Sequence, residues 1–407
     1  MIKIIKTNLH AGAVILLFAQ LADAQINPKK TLKKIQTEIP EKSDIKTNIP
    51  ETGEIKREDV KVSVASSAYE ISTVAGPGNH LSTNRGYRNE PGRNALFNEI
   101  SGLVIDEEGN LYVAEMGNFC VRKVAVDLTV STYAGKNEQL SRDGTLRLAR
   151  FYNPASIWRN KKGEMLVADK ASNAIRKITN EGTVVTVAGG NEMGNTDGSI
   201  AKAQFNQPVA AVEDSKGNIF VADHSNNRIR KISNGKVSTF AGSEFGRKEG
   251  TGTDAQFQYP LGLTIDKNDN LYMYEYNIIW KITPEGVVSV LAGSFDVQDV
   301  VDGKGDWARF YSIRGITIDD NGNLYVTDGG TDQSASIRMI NPMGEVRTLV
   351  GAKLCVTGKP SNEDAMKDGN AAGIYLEEIN SLCIDAGGNI YFADYWYNCI
   401  RKLSLIK

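Results

Sequence analysis

Six acidic residues recur in this chain at a spacing that could place their carboxylates in a ring. Each ends a ten-residue segment that starts with Asp or Asn, passes through a polar turn and continues as an apolar run, as in "DSKGNIFVAD" at residues 214–223. A ring of carboxylates would suit a hard cation, which prefers oxygen ligands. The six residues are Glu115, Asp169, Asp223, Glu275, Asp328 and Asp394.

A structural role explains most of these acids better. In four copies an arginine follows the acid by seven residues, on the next strand of a predicted hairpin. A buried carboxylate without a partner would be unfavourable, whereas an ion pair within the hairpin is satisfied and also orders the turn. We therefore predict an acid–arginine pair inside each unit. The arginines are Arg122, Arg176, Arg230 and Arg401.

Two copies depart from this rule and are the candidates for chemistry. Glu275 is followed by Trp280 where the arginine should stand, and the insertion "GGTDQSA" moves Arg338 to ten residues after Asp328. Functional sites are expected where a local rule is broken, although repeats that drift under weak selection would look the same. Glu275 and His224, with Asp328, are the candidates for a metal-assisted reaction.

Four short strands position these residues in each repeat. The copy around residues 205–242 reads as an apolar strand, a tight turn, a second strand "NIFVAD", a polar loop, a third strand "RIRKI" and a fourth strand "VSTFAG". Asn and Gly accept left-handed backbone angles cheaply, so the tetrads between the first two strands favour turns. Because a four-stranded antiparallel unit repeated about an axis is a propeller blade, six copies predict an all-β, six-bladed β-propeller of four-stranded blades.

The two chain ends are predicted to share one blade. The last copy ends at "CIRKLSLIK" without a fourth strand, and a fourth-strand motif, "YEISTVAG" at residues 69–76, precedes the first copy. Pairing these two segments would close the ring and remove an exposed sheet edge. A closed ring would also cover the two faces that a single blade cannot bury alone.

These segments resemble NHL repeats. The matching motifs are "GNLYVAE…VRKV…VSTYAG" and "GNIFVAD…NNRIRKI…VSTFAG", and the resemblance covers about residues 69–407. It implies a propeller scaffold that hosts unrelated activities. The NHL-type peptide-amidating lyase uses several histidines as zinc ligands, but only His224 falls inside a blade here, since His10 and His80 lie elsewhere. Related six-bladed hydrolases hold calcium, so the resemblance leaves a Ca²⁺ ion in the central channel open.

The loops between the second and third strands share a face with the blade-to-blade connections, and we call this the loop face. Three consecutive aromatic residues follow Asp394, and since strand side chains alternate, at least one should lie near solvent. Packing of Trp396 against a neighbouring blade is the structural alternative. Loops on a rigid scaffold often carry binding, and exposed Tyr and Trp suit ligand contact. The predicted ligand-binding residues are Tyr395, Trp396, Tyr276, His224, Glu275, Arg314 and Asn380.

The N-terminal region and the composition bound the function further. A formal charge of −2 gives no electrostatic case for nucleic acid. Lys3, Lys6, an apolar run and small residues before Gln25 predict a signal peptide at 1–24, hence a secreted, periplasmic or envelope protein, with an uncleaved membrane anchor as the alternative. Residues 25–67 are charged and lack an apolar run, which predicts a disordered linker before the propeller at 68–407.

The cysteines and the missing motifs complete the prediction. Four cysteines lack metal-ligand spacing and are interpreted as buried, with one disulfide of unknown pairing open: Cys120, Cys355, Cys383 and Cys399. The chain has no G-x-S-x-G or phosphate-binding G-x-x-x-x-G-K motif, and His224 is the sole in-blade histidine. We therefore predict an exported, monomeric, non-catalytic module without a cofactor that binds a glycan, a peptide or a protein on the loop face. The alternative is a lyase or hydrolase with a metal at the central channel.

Overall fold

The computed structural model describes residues 68–77, 85–190, 192–329, 335–351, 368–371, 374 and 376–406. The segments predicted as signal peptide and linker, 1–24 and 25–67, lie outside the described residues, and so do His80 and Cys355. Within the described ranges, no helix has the length and apolar character needed to cross a membrane.

Short β-strands rich in Val, Ile, Leu and Tyr form six antiparallel sheets, which are the six blades. The first strand is β1 (Tyr69–Ala75), and blade 1 follows with β2 (Ile100–Ile105), β3 (Leu111–Glu115), β4 (Cys120–Val124) and β5 (Val130–Gly135). Blade 2 contains β6 (Gly144–Thr145), β7 (Pro154–Arg159), β8 (Met165–Asp169), β9 (Ala174–Ile178) and β10 (Thr183–Gly189), and blade 3 contains β11 (Gly198–Ser199), β12 (Pro208–Glu213), β13 (Ile219–Asp223), β14 (Arg228–Ser233) and β15 (Lys236–Ala241). Blade 4 contains β16 (Gly250–Thr251), β17 (Gly262–Ile265), β18 (Leu271–Glu275), β19 (Ile278–Ile282) and β20 (Val287–Gly293), blade 5 contains β21 (Gly303–Lys304), β22 (Ser312–Ile318), β23 (Leu324–Gly329), β24 (Ala335–Ile340) and β25 (Glu345–Gly351), and blade 6 contains β26 (Gly369–Asn370), β27 (Ile379–Ile384), β28 (Ile390–Asp394) and β29 (Cys399–Leu405). Short 3₁₀ turns lie at Gly92–Asn94, Lys170–Ser172, His224–Asn226, Gly252–Asp254 and Gly305–Trp307.

The sheet order confirms the predicted all-β six-bladed propeller. In blade 3, for example, β12, β13, β14 and β15 are hydrogen-bonded neighbours in that order, with β12 innermost. Blade 6 combines the two chain ends, because β1 pairs antiparallel with β29 through Tyr69 opposite Leu405 and Ile71 opposite Leu403. Strand β1 therefore lies where the repeat pattern placed it.

The blades carry more strands than the sequence predicted. Five of the six described sheets have a fifth strand of two residues at the outer edge instead of ending at four. In blade 2 this strand is β6, which follows Asp143. The Asp143 carboxylate accepts hydrogen bonds from the Thr186 backbone N–H at 2.9 Å and from Arg176 Nη2 at 2.6 Å. These bonds hold the connection against β10, so a segment that looked like a loop extends the sheet.

The core lies between blades, where each sheet packs on its neighbours. Phenylalanines that precede the inner strands are fully buried, and arginines of the third strands lie over four of them, as Arg176 does over Phe151 at 5.4 Å from the ring centroid. Phe257 of blade 4 packs edge-to-face against Trp280 instead. Near the axis the inner strands approach closely. A Cβ atom added to Gly315 of β22 would lie 2.1 Å from the Asn380 carbonyl oxygen of β27. The buried phenylalanines are Phe97, Phe151, Phe205, Phe257 and Phe310.

Candidate functional site

The acids that end the second strands are used by the scaffold. Arg230 Nη1 donates to Asp223 Oδ2 at 2.7 Å and to the Gln204 carbonyl at 3.0 Å, while its Nη2 donates to Asp197 at 2.5 Å. Five acids pair in this way with fully buried arginines, at 3.1 Å for Glu115–Arg122, 3.3 Å for Asp169–Arg176, 2.7 Å for Asp223–Arg230, 3.0 Å for Asp328–Arg338 and 3.7 Å for Asp394–Arg401. The predicted structural role of these acids is confirmed, and it includes Asp328, whose arginine lies ten residues away in sequence.

Glu275 in blade 4 has a different partner. Trp280 fills the place of the usual arginine and is fully buried, and Arg247 approaches from the connection between blades 3 and 4, with its Nε 3.7 Å from Glu275 Oε2. The Gln258 backbone N–H donates to Glu275 Oε1 at 2.6 Å. Burial raises the pKa of Glu275 to about 7, against the lowering effects of the Gln258 N–H, Trp280 and the charge of Arg247. Because its side chain is wholly buried, Glu275 does not reach the surface of the loop face.

The aromatic run after Asp394 lies in the turn between β28 and β29, and its three side chains differ in exposure. Tyr397 is buried at 2 % exposure, Tyr395 is half-buried, and Trp396 has 51 % of its surface exposed. The expectation that at least one of the three lies near solvent is confirmed. The Tyr395 backbone N–H donates to the Glu378 carbonyl at 2.9 Å, so this loop is fixed to the segment that leads into β27.

Charged side chains surround Tyr395 on the loop face. Arg314 forms an ion pair with Glu378, and the Arg314 carbonyl accepts a hydrogen bond from the Tyr274 hydroxyl at 2.6 Å. The pKa of Tyr395 is raised, chiefly by burial and then by the negative charge of Glu99, while Arg314 acts in the opposite direction. The structure thus brings Tyr395 and Arg314 together, and it adds Glu378 and Glu99, which the sequence did not single out.

Asn380 lies beside this group, as the second residue of β27. The side chain is half-buried, and the backbone carbonyl accepts a hydrogen bond from Thr327 Oγ1 at 2.9 Å. No described residue hydrogen-bonds its buried Oδ1. Asn380 is therefore close to the rim but turned partly into the packing between blades 5 and 6.

A second aromatic group lies between blades 3 and 4. The rings of His224 and Tyr259 are 5.2 Å apart, and the rings of Tyr259 and Phe245 are 5.3 Å apart. The exposed fractions are 54 % for Phe245 and 38 % for Tyr259. His224 was predicted, whereas Phe245 and Tyr259 were missed. The available signal was an aromatic residue before Pro260, where other repeats carry polar residues such as Gln207.

Tyr276 occupies the position in blade 4 that His224 occupies in blade 3. It is 39 % exposed, with a backbone φ of 36°, and its carbonyl accepts a hydrogen bond from the Ile313 N–H at 2.5 Å.

The pKa of His224 is lowered, first by burial and also by the charge of Lys170, although a hydrogen bond to the Pro260 carbonyl opposes the shift. The predicted residues thus lie on one face but in two groups, with Tyr276 on blade 4.

The central channel is lined by the inner strands of all six blades and encloses about 360 Å³. Its wall combines aliphatic side chains, such as Leu103, Leu263 and Leu382, with a comparable share of polar surface. The charged lining residues are Arg159, Lys170 and Arg314. Across the described residues, no group of three or more His, Cys, Asp or Glu side chains is placed to hold a metal ion.

Among the cysteines that the structure describes, Cys120, Cys383 and Cys399 are buried free thiols.

The fold and its repeated acid–arginine pairs define a six-bladed β-propeller built from one repeated sheet unit. No family model matches the chain. Among curated proteins it is 27 % identical over 317 residues to NHL repeat-containing protein 2 of Homo sapiens, covering 65 % of this chain and 42 % of that protein. The corresponding protein of Gallus gallus is 28 % identical over 307 residues, with 65 % and 41 % covered. The resemblance to NHL repeats is confirmed, and the chain spans less than half the length of these relatives.

Solved structures show the same fold at low identity. A protein of unknown function from Bacteroides thetaiotaomicron aligns with a TM-score of 0.62 at 18 % identity, covering 83 % of this chain and 76 % of that one. An auxiliary nutrient binding protein from Bacteroides ovatus aligns with a TM-score of 0.60 at 16 % identity, covering 83 % and 77 %. At such identities the likeness concerns the fold alone.

Proposed function

We propose that this protein is an exported, non-catalytic binding module that recognises a glycan, a peptide or a protein on its loop face. The observation that carries the proposal is the exposure of Trp396, half of whose surface faces solvent beside Tyr395 and the Arg314–Glu378 ion pair. The repeat does not require an aromatic residue there, since the equivalent loop of blade 2 begins Lys170, Ala171. That two proteins of this fold are described as nutrient binding proteins is consistent with the proposal.

The chemistry of the residues around Trp396 suits recognition better than catalysis. Trp396 offers a flat contact area with only two side-chain torsions to order, and Arg314 and Glu378 offer directional charge next to it. The closed ring of blades holds these groups in place before a ligand arrives, which lowers the entropy lost on binding. The acids that could have served as general acids or bases are mostly committed to buried ion pairs.

The test compares wild type with Trp396→Ala and with the double variant Tyr395→Ala/Trp396→Ala. Ligands are found on glycan and peptide arrays, and affinities are measured by isothermal titration calorimetry. Loss of a central aromatic contact typically weakens binding by about 2 kcal/mol, or about 30-fold. Trp307→Ala is the matched control, because Trp307 is 49 % exposed on the outer turn of blade 5. Affinity that is unchanged in both variants would remove the site assignment.

Export and the enzyme alternative have their own tests. Mass spectrometry of the protein recovered from its native cell should give an N-terminus at Gln25 if the signal peptide is cleaved as proposed. Elemental analysis of the purified protein tests for Ca²⁺ or another divalent ion at the channel. A stoichiometric ion whose removal abolished turnover of a substrate would favour the lyase or hydrolase alternative over a binding module.

A further inference from the structure

We propose that His224, Tyr259 and Phe245 form a stacking platform for an uncharged sugar ring, as a subsite distinct from Trp396. This inference rests on the proposed binding function and names the ligand class, a neutral oligosaccharide. We call the three side chains the aromatic platform. The platform lies at the junction of blades 3 and 4, whereas Trp396 lies on blade 6.

The geometry of the platform is that of an exposed contact surface. Tyr259 is the central ring, tilted by 32° from His224 and set edge-to-face with Phe245 at 68°. Phe245 and Tyr259 keep 54 % and 38 % of their surfaces exposed. His224 is half-buried beside these two exposed rings, and an exposed aromatic patch of this kind is typical of an interaction site.

The repeat itself does not call for these rings. The position of Tyr259, two residues after the buried phenylalanine, is occupied by Glu99 in blade 1 and Gln207 in blade 3. The position of His224 is occupied by Lys170 in blade 2. Because the other blades fold with polar residues at the Tyr259 position, and blade 2 folds with lysine at the His224 position, the scaffold does not require the rings of the platform.

The backbone holds the platform in place. Tyr259 has a left-handed φ of 58°, a conformation that bulky residues rarely adopt. Its N–H donates to Asn227 Oδ1 at 3.0 Å, and Pro260 follows it, restricting the chain further. His224 Nδ1 is 3.2 Å from the Pro260 carbonyl, which fixes the imidazole beside the tyrosine ring. A pre-ordered surface of this kind loses little entropy when a ligand stacks on it.

The polar groups of the platform match hydroxyls. Since His224 Nδ1 faces a carbonyl, it acts as the hydrogen donor, which leaves Nε2 as an acceptor in the neutral ring. The Tyr259 hydroxyl can donate and accept. None of the three side chains carries a charge in this state. A sugar ring presents C–H groups that are attracted to the electron-rich faces of aromatic rings, and hydroxyls that pair with such donors and acceptors.

The experiment uses the whole protein and an array of neutral oligosaccharides, with anionic oligosaccharides and peptides printed beside them. Two variants separate stacking from simple apolar contact. Tyr259→Asn removes the ring but keeps a residue that tolerates the left-handed backbone, and Phe245→Leu keeps apolar area but removes the flat face. Trp307→Ala is the control for loss of an exposed aromatic side chain elsewhere. Thermal unfolding of each variant verifies that the propeller is intact.

We expect wild type to bind a neutral oligosaccharide, and each platform variant to bind it at least tenfold more weakly by calorimetry, with Trp307→Ala unchanged. Full affinity in Phe245→Leu, or in Tyr259→Asn, would overturn the platform. So would a ligand found only among peptides or anionic glycans. If the ligand depended on Trp396 alone, the platform would fail while the binding function stood. A protein that bound nothing on the array would refute the platform and the recognition of glycans and peptides, and would leave a protein partner as the remaining form of the binding function.

Discussion

Replacing Glu275 by glutamine should change the stability of the propeller by an amount that depends on pH. Burial raises the pKa of Glu275 from 4.5 to about 7 in the folded protein. A raised pKa means that folding favours the protonated carboxyl, so the associated stability is full below pH 4.5 and is lost as pH rises through 7. At 1.36 kcal/mol per pKa unit, this rise corresponds to about 3 kcal/mol. Glutamine does not titrate, so the variant should lack this loss.

Urea unfolding of wild type and Glu275→Gln at pH 4.5, 6, 7 and 8.5 measures the effect. The free energy of unfolding of wild type minus that of the variant should fall by about 3 kcal/mol across this range. The charge of Arg247 is already included among the effects that set the pKa of Glu275, so it adds no separate pH-dependent difference between the two proteins. Asp394 is also buried, with a pKa raised to about 7, but it is present in both proteins and cancels.

Glu107→Gln provides a control of opposite sign. Glu107 lies at the surface, and its hydrogen bond with Arg159 lowers its pKa. Wild type should therefore gain stability over this variant as pH rises, because a lowered folded pKa stabilises the charged form. A difference for Glu275→Gln that stayed constant with pH, or that rose as for Glu107→Gln, would refute the assignment of Glu275 as a carboxyl strained by burial.

Three further predictions concern the scaffold. Gly315→Ala should destabilise the protein by about 2–3 kcal/mol in urea, because the new methyl group would meet the Asn380 carbonyl of the next blade. Trp396→Ala should leave the free energy of unfolding within about 0.5 kcal/mol of wild type, whereas Tyr397→Ala, at a buried site, should lower it by about 3–5 kcal/mol. Ile71→Asp in β1 should lower the melting temperature in calorimetry, because Ile71 is buried in blade 6, where β1 pairs with β29. An unaltered melting temperature would argue against β1 as the strand that closes the ring.

The parts of the fold that the sequence predicted depend on local spacing. An acid and an arginine seven residues apart lie diagonally across a two-stranded hairpin, on the same face of the sheet. In β13 and β14, Arg230 is opposite Val221, two residues before Asp223, and this geometry depends only on the hairpin itself. The number of blades follows from counting such hairpins. Closure by β1 was predictable because a fourth-strand motif was left over at one end of the chain and missing at the other.

The parts that escaped prediction depend on contacts across connections. Arg247 reaches Glu275 from a preceding connection 28 residues away, and no repeat spacing indicates that approach. The outer two-residue strands arise because carboxylates such as that of Asp143 bond the neighbouring outer strand, which sequence patterns show only as an Asp-Gly pair. The grouping of Phe245 with His224 was likewise hidden, because their separation along the chain has no fixed relation to their distance in the propeller.

The irregular ion pair of blade 4 and the aromatic platform belong to the same piece of chain. Arg247 lies two residues after Phe245, and besides approaching Glu275 it donates to the Phe295 carbonyl at 3.2 Å and to Asn277 Oδ1 at 3.3 Å. In the regular blades the arginine comes from the third strand and secures its own hairpin. In blade 4 it comes from the connection, and the hydrogen bonds of Arg247 to Phe295 and Asn277 tie the connection that carries Phe245 to blade 4. The departure from the repeat therefore has a structural consequence on the loop face: it anchors the connection that carries an exposed aromatic side chain, while Glu275 itself stays buried.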